Sequence, residues 1–251
     1  MKKILMFFNI KMVHTKASII VLSTLIGYLL LHSPYRRAVI LIGAAVFLYS
    51  YTRMFILLMH RKPQKQTKQE LRQKIEPGDL ILVADGINQS FFNPFLIANM
   101  MFNEEEIHTL YAVEYQSQVY LINSHMTDYF NSRMKTFADP SSVIVIESNS
   151  RGTGCLEPLD EFLYAEEKKK SYVRIVKTKK KAPLFDMSRK ELFKEISSKT
   201  FVQCSMVIAK YLESHGVISN TSGFTDFLYY TPDVLRSKLG VVSNTLYQLN
   251  D

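Results

Sequence analysis

Two kinds of apolar pattern divide the chain. Residues 17–31 (ASIIVLSTLIGYLLL) and 38–52 (AVILIGAAVFLYSYT) are uncharged and apolar on every side, and the second run continues past Arg53 into MFILLM at 54–59. From residue 76 onward the apolar positions come in short runs between turn residues, or at helical spacing. A helix without a polar face has nothing to show water, and about 20 residues at ~1.5 Å each cross ~30 Å of hydrocarbon. The first run reaches that length with His14 to Thr15 and His32 to Ser33 in the interface, the second by tolerating Arg53. The turn His32-Ser-Pro-Tyr-Arg-Arg37 between them predicts a transmembrane helical hairpin over residues 1–60. A hairpin buried inside a water-soluble fold is the alternative. A cleaved signal peptide fits less well, because no small-residue cleavage site follows and a second apolar run comes at once.

The pattern beyond residue 76 predicts an α+β domain over 76–251. Glu76-Pro-Gly-Asp79 turns into an apolar strand, LILV at 80–83. Runs at 107–115 and 119–125, separated by Gln116-Ser-Gln118, form a hairpin candidate, and 143–147 and 172–178 add two strands. Ser188-Arg-Lys-Glu191 has the form of a capping box. Cys204, Val207, Ile208, Tyr211 and Leu212 mark one face of a helix that Gly216 closes, and Thr231-Pro-Asp233 opens a last helix reaching Leu239.

Charge changes the picture at the junction. Residues 1–75 hold 13 basic side chains against Glu70 alone (+12), and residues 76–251 hold 18 basic against 22 acidic (−4). A nucleic-acid binder needs positive charge on its folded domain, so nucleic acid is not an expected partner. Residues 61–75 read as a basic juxtamembrane linker able to lie against anionic lipid. Basic residues on both sides of the hairpin place both ends in the cytosol, only Arg36 and Arg37 arguing otherwise. The expected partner is a lipid bilayer, through residues 17–59. Two cysteines allow neither a zinc module nor a disulfide scaffold, and with no phosphate-binding glycine loop, no cofactor and no metal are expected.

What remains is cysteine chemistry. Cys204 falls in Phe201-Val-Gln-Cys-Ser-Met-Val207, in the first turn of its helix, where free N–H groups and the positive end of the helix dipole favour a thiolate. An imidazole nearby would lower the thiol pKa and later protonate a leaving group. The plainer reading is a core cysteine sharing a stripe with Val207 and Ile208. Cys155, between Gly154 and Leu156, reads as part of a glycine-rich turn with no helix to activate it. His108 stands where a strand should begin.

The order Pro77-Gly78-Asp79 with its strand, His108, a hairpin, Pro158-Leu-Asp-Glu-Phe-Leu163, and Phe201-Val-Gln-Cys-Ser205 opening a helix that ends in Ser214-His-Gly216 resembles the circularly permuted papain-like cysteine hydrolases. These are the NlpC-related proteins of the YiiX-like group, which include a poxvirus member. The resemblance spans roughly 76–240 and implies Cys204 as nucleophile and His108 as base and acid. The sequence departs from the family at His108-Thr-Leu110, where His-Val-Gly is usual. For the third member, hairpin geometry puts Asn123 or His125 on the face of His108, with Asn123 giving a Cys-His-Asn set. Glu147 also resembles the family's glutamate, in which case residues 126–142 are an insertion.

The resemblance implies hydrolysis or acyl transfer at amide, ester or thioester bonds of lipids or peptides, and the hairpin favours lipids. An inactive membrane-anchored structural or interaction protein, and a peptidoglycan-type peptidase facing outward, are the competing expectations. The apolar stretch Phe91-Phe-Asn-Pro-Phe-Leu96 with Met100 to Phe102 reads either as core or as an acyl-chain wall. Glu166 to Lys170 and Lys179 to Lys181 read as solvated loops, and Asp79 as a turn residue or part of the cleft lining.

Overall fold

A computed structural model describes residues 60–84, 108–125, 127–148, 152–191, 193, 204–219 and 232–249, with scattered helical positions between 27 and 56. Two compact units divide the chain, Met1–Met59 and His60–Asp251. Among the described residues no helix is long and apolar enough to cross a membrane. The two apolar runs lie mostly outside those residues, as does the stretch from Phe91 to Phe102.

The second unit is an α+β fold. Its strands are β1 (Gln64–Gln66), β2 (Leu80–Ala84), β3 (His108–Tyr115), β4 (Gln118–His125), β5 (Ile144–Ser148), β6 (Thr153–Pro158), β7 (Tyr172–Thr178) and β8 (Val241–Leu249). The helices with described bounds are α1 (Lys68–Lys74), α2 (Thr127–Met134), α3 (Leu159–Lys169), α4 (Cys204–Ser214) and α5 (Pro232–Leu239). One mixed sheet runs in the order β1-β8-β7-β2-β3-β4-β6-β5, antiparallel except for the β1/β8 pair.

Both faces of the central strands are covered, which is why they read as unbroken apolar runs rather than alternating ones. On one face Leu80, Leu82, Tyr111, Val113 and Ile122 meet Val207, Ile208, Tyr211 and Leu212 of α4 and Leu235 of α5. On the other, Ile81, Leu110, Ala112, Leu121 and Ile175 meet Leu71 of α1 and Leu159, Phe162 and Leu163 of α3. A smaller cluster of Phe130, Phe137, Val143, Cys155 and Ala165 lies beneath α2.

Local chemistry sets the element ends. The β3–β4 turn is the two residues Gln116 and Ser117, both left-handed (φ 51° and 60°), the primed geometry that suits a tight hairpin. Helix α4 ends as its stripe requires: Gly216 at φ 67° lets its own N–H reach the Glu213 carbonyl (2.9 Å) and that of Val217 reach Leu212 (3.0 Å). Asp79 fixes its turn, its carboxylate accepting from the Glu76 N–H at 2.8 Å and from Lys177 at 2.7 Å.

Several expectations need correcting. Residues 61–75 are not a free linker. They carry β1, paired with Tyr247 to Leu249, and α1, which opens with a Thr67–Glu70 capping box and buries Leu71 completely. A helix does open at the Ser188 segment, described at Lys190, Glu191 and Phe193, but it follows a 3-10 turn over Met187–Arg189 that Asp186 caps by accepting from the Ser188 N–H. Cys155 sits in a strand, β6, not in a turn. Gly154 is there because the Phe193 ring takes the place of a side chain: a Cβ would lie 2.8 Å from Phe193 Cδ1. Glu166 to Lys169 belong to α3, and Glu166 is buried.

Candidate active site

Helix α4 and strand β3 bring Cys204 against the residue next to His108. As described, α4 begins at Cys204 and β3 at His108. The backbone N–H of Thr109 points at Cys204 Sγ, 3.3 Å away, so the sulfur rests on the strand one residue past the histidine. Burial pushes the thiol pKa up, and the N–H groups of Thr109 and Ser205 only partly offset this. The resting form is therefore the neutral thiol, not the thiolate that helix position alone suggested.

The His108 ring turns toward β4. Its Nε2 meets Asn123 Oδ1 at 2.5 Å, and no hydrogen bond joins it to Cys204. Strand alternation accounts for this. Thr109 shares a side of β3 with Tyr111, which packs on α4, while His108 shares the other with Leu110 and Ala112, which pack toward α3. Burial, and then the positive charge of Arg133, depress the His108 pKa to about 4, with the Asn123 bond opposing. At neutral pH the imidazole is uncharged.

Of the three alternatives for a third member, Asn123 makes the hydrogen bond. His125 instead stacks on His108, with ring centroids 4.7 Å apart and planes 15° from parallel, and its other side meets Tyr129 and Phe130 of α2. Its pKa too is depressed well below the ordinary imidazole value, by burial first and then by proximity to His108 and Arg133. Glu147 is not brought to the site: it lies in β5, opposite Gly154, separated from β3 by β4 and β6. Residues 127–134 are not merely inserted, since α2 carries side chains that back the histidine.

Sequence reasoning missed what stands behind Asn123. Its Nδ2 donates to Glu157 Oε2 at 2.6 Å. Arg133 grips Glu157 Oε1 through Nη2 (2.6 Å) and Nε (3.1 Å), and turns Nη1 to Glu166 Oε1 at 2.6 Å. Asn123, Glu157, Arg133 and Glu166 are all at most 4% exposed. Burial works against charge on Arg133 and on Glu166, yet the attraction of Arg133 to Glu157 and then to Glu166 wins. The guanidinium pKa rises and the Glu166 pKa falls. Three charged residues scattered over α2, β6 and α3 offered no signal in the sequence, because each alone reads as solvated surface.

Among the described residues no group of His, Cys, Asp and Glu side chains is arranged to hold a metal ion. Comparison of the chain with protein-family models, with curated proteins and with solved structures finds no match.

Proposed function

We propose that the second unit is a cysteine hydrolase or acyltransferase of permuted papain-like design, with Cys204 as nucleophile, His108 as base and Asn123 orienting the imidazole. The observation that carries this is the meeting of β3 and α4, where Thr109 N–H touches the sulfur while the neighbouring His108 is held by Asn123. In the reaction the His108 ring turns from its resting side of β3 to the sulfur and takes the thiol proton, and the sulfur forms a C–S bond to an acyl carbon. The bond to the leaving amine, alcohol or thiol breaks, and that group departs with the proton from His108. Water or an amine then releases the acyl group by the same steps in reverse. The Thr109 N–H at the sulfur stabilises the negative charge that develops there.

The same reading has the first unit anchor the enzyme in a membrane, with the catalytic unit in the cytosol and lipid amides, esters or thioesters as substrates. Its support is the apolar sequence of 17–59 and the outward exposure of Ile40, Leu41, Leu48, Tyr49 and Ile56. One observation favours the alternative of an inactive structural protein: the resting thiol and imidazole are both neutral, share no hydrogen bond and project to opposite sides of β3. Alkylation of the full chain near pH 7 separates the two. Cys204 reacting at least about a hundredfold faster than the buried Cys155, with the advantage lost in His108→Ala, supports the enzyme. Equally slow alkylation of both thiols rejects it.

A further inference from the structure

We infer that Glu157, held by Arg133, is a positioning residue that selects which nitrogen of His108 carries the proton. The consequence for catalysis rests on the hydrolase reading; the proton assignment itself does not. A carboxamide offers an acceptor on one side and two donors on the other, and its two ends are nearly equal in shape. Either end of Asn123 fits against the histidine. A carboxylate has no such freedom, because when ionised it only accepts. Arg133, which can only donate, bonds Glu157 Oε1 twice, and against an acceptor-only carboxylate held in this way the NH2 end of Asn123 is the end that faces Oε2. The carbonyl end must then face His108, where an acceptor requires Nε2 to be the protonated nitrogen. A neutral imidazole has one N–H, so its lone pair is fixed on Nδ1.

That lone pair is what a base needs. With Asn123 reversed, its NH2 would donate to Nε2 and the proton would sit on Nδ1. The nitrogen left to serve the thiol could then only donate, a wrong tautomer of the kind that disables other nucleophile–histidine pairs. Glu166 completes the device from behind. It holds the second face of the guanidinium, which keeps Arg133 from turning away from Glu157.

The test uses the full chain in detergent with 15N-labelled histidine, the His108 signal among six being assigned by its loss in His108→Gln. Long-range nitrogen–proton correlations distinguish the two tautomers directly. The expected result is Nε2–H at pH 7, a mixture or Nδ1–H in Glu157→Gln, and return to Nε2–H in Glu157→Asp, which restores an acceptor-only group. Cys204 alkylation in Glu157→Gln falls by about tenfold or more at pH 7 and recovers in Glu157→Asp. A merely structural role would not move the tautomer and recover it this way. Nδ1–H in the parent protein overturns the inference whether or not any variant folds, and so does an unchanged tautomer in folded Glu157→Gln. If the tautomer behaves as expected while Cys204 is no more reactive than Cys155, the positioning stands and the hydrolase reading falls. If His108→Ala slows alkylation but Glu157→Gln changes nothing, the reverse holds.

Discussion

The two faces of the sheet are stabilised by different physics. The α4 face is mostly apolar, its tyrosines placing their hydroxyls on backbone partners: Tyr111 accepts from the Ala182 N–H at 2.9 Å and Tyr211 donates to the Leu184 carbonyl at 2.6 Å. Among the described residues, the buried hydroxyls of Thr109 and Ser205 stay unbonded. Burial there is non-directional, so a lost methyl group costs in proportion to the space it leaves. The α2/α3 face, where it meets β3, β4 and β6, instead buries His108, Asn123, His125, Glu157, Arg133 and Glu166. The charged members must stay paired, since each stranded charge carries its full desolvation cost, whereas the neutral His125 leaves its Nε2 without a hydrogen bond among the described residues. The difference teaches where the candidate chemistry can be tuned: the sulfur comes from the forgiving face and the histidine from the unforgiving one.

Breaking the network should therefore cost more than opening the apolar face. Arg133→Met strands two buried carboxylates, and an expected loss of about 4 kcal/mol in urea unfolding at pH 7 measures it. Combining it with Glu157→Gln and Glu166→Gln should return most of that loss, because no charge is then left unpaired. No recovery would mean that Arg133 acts through packing on Phe137 and Phe162 instead. On the opposite face Leu212→Ala, at a fully buried α4 position, should cost about 3 kcal/mol by the same measurement.

Acid sharpens the comparison further, with a smaller effect. His108 has its folded pKa depressed to about 4 from an unfolded 6.5, so between those values the unfolded chain binds more protons. The stability this group contributes is whole above pH 6.5 and is lost as pH falls toward 4, where the loss levels off. His125 shifts in the same direction and adds to the slope. Urea midpoints measured from pH 7 down to 4 should fall across this window and flatten in part in His108→Gln. An unchanged slope would show that the imidazole is not desolvated as described.

Local pattern and single-element geometry were legible in the sequence. The strand at 172–178 matches β7 end to end, and the stripe from Cys204 to Leu212 with Gly216 marks α4, because both signals lie within one element. The tight turn at Gln116 and Ser117 sets the register that lets Asn123 meet His108, so that contact also lay within reach of hairpin reasoning. Elsewhere tertiary context overrode the local signal. Gly154 made β6 look like a turn, though its missing side chain only makes room for Phe193, which is distant in sequence. Strand β8 carries Ser243, Asn244 and Gln248 among its apolar residues, and half of it is exposed, so it gave no clean alternation. Arg133, Glu157 and Glu166 were invisible for a stronger reason: a charge reads as buried only when its partner is known, and these partners come from three elements.

The parallel pairing of Gln64–Gln66 with the end of β8 has a mechanical consequence. A strand laid lengthwise on its neighbour takes load in shear. Tension arriving from the residues ahead of this ladder meets several bonds that must give together, instead of one at a time as in peeling. Force would therefore pass into β8, and through β7 and β2 to β3, where the histidine is held.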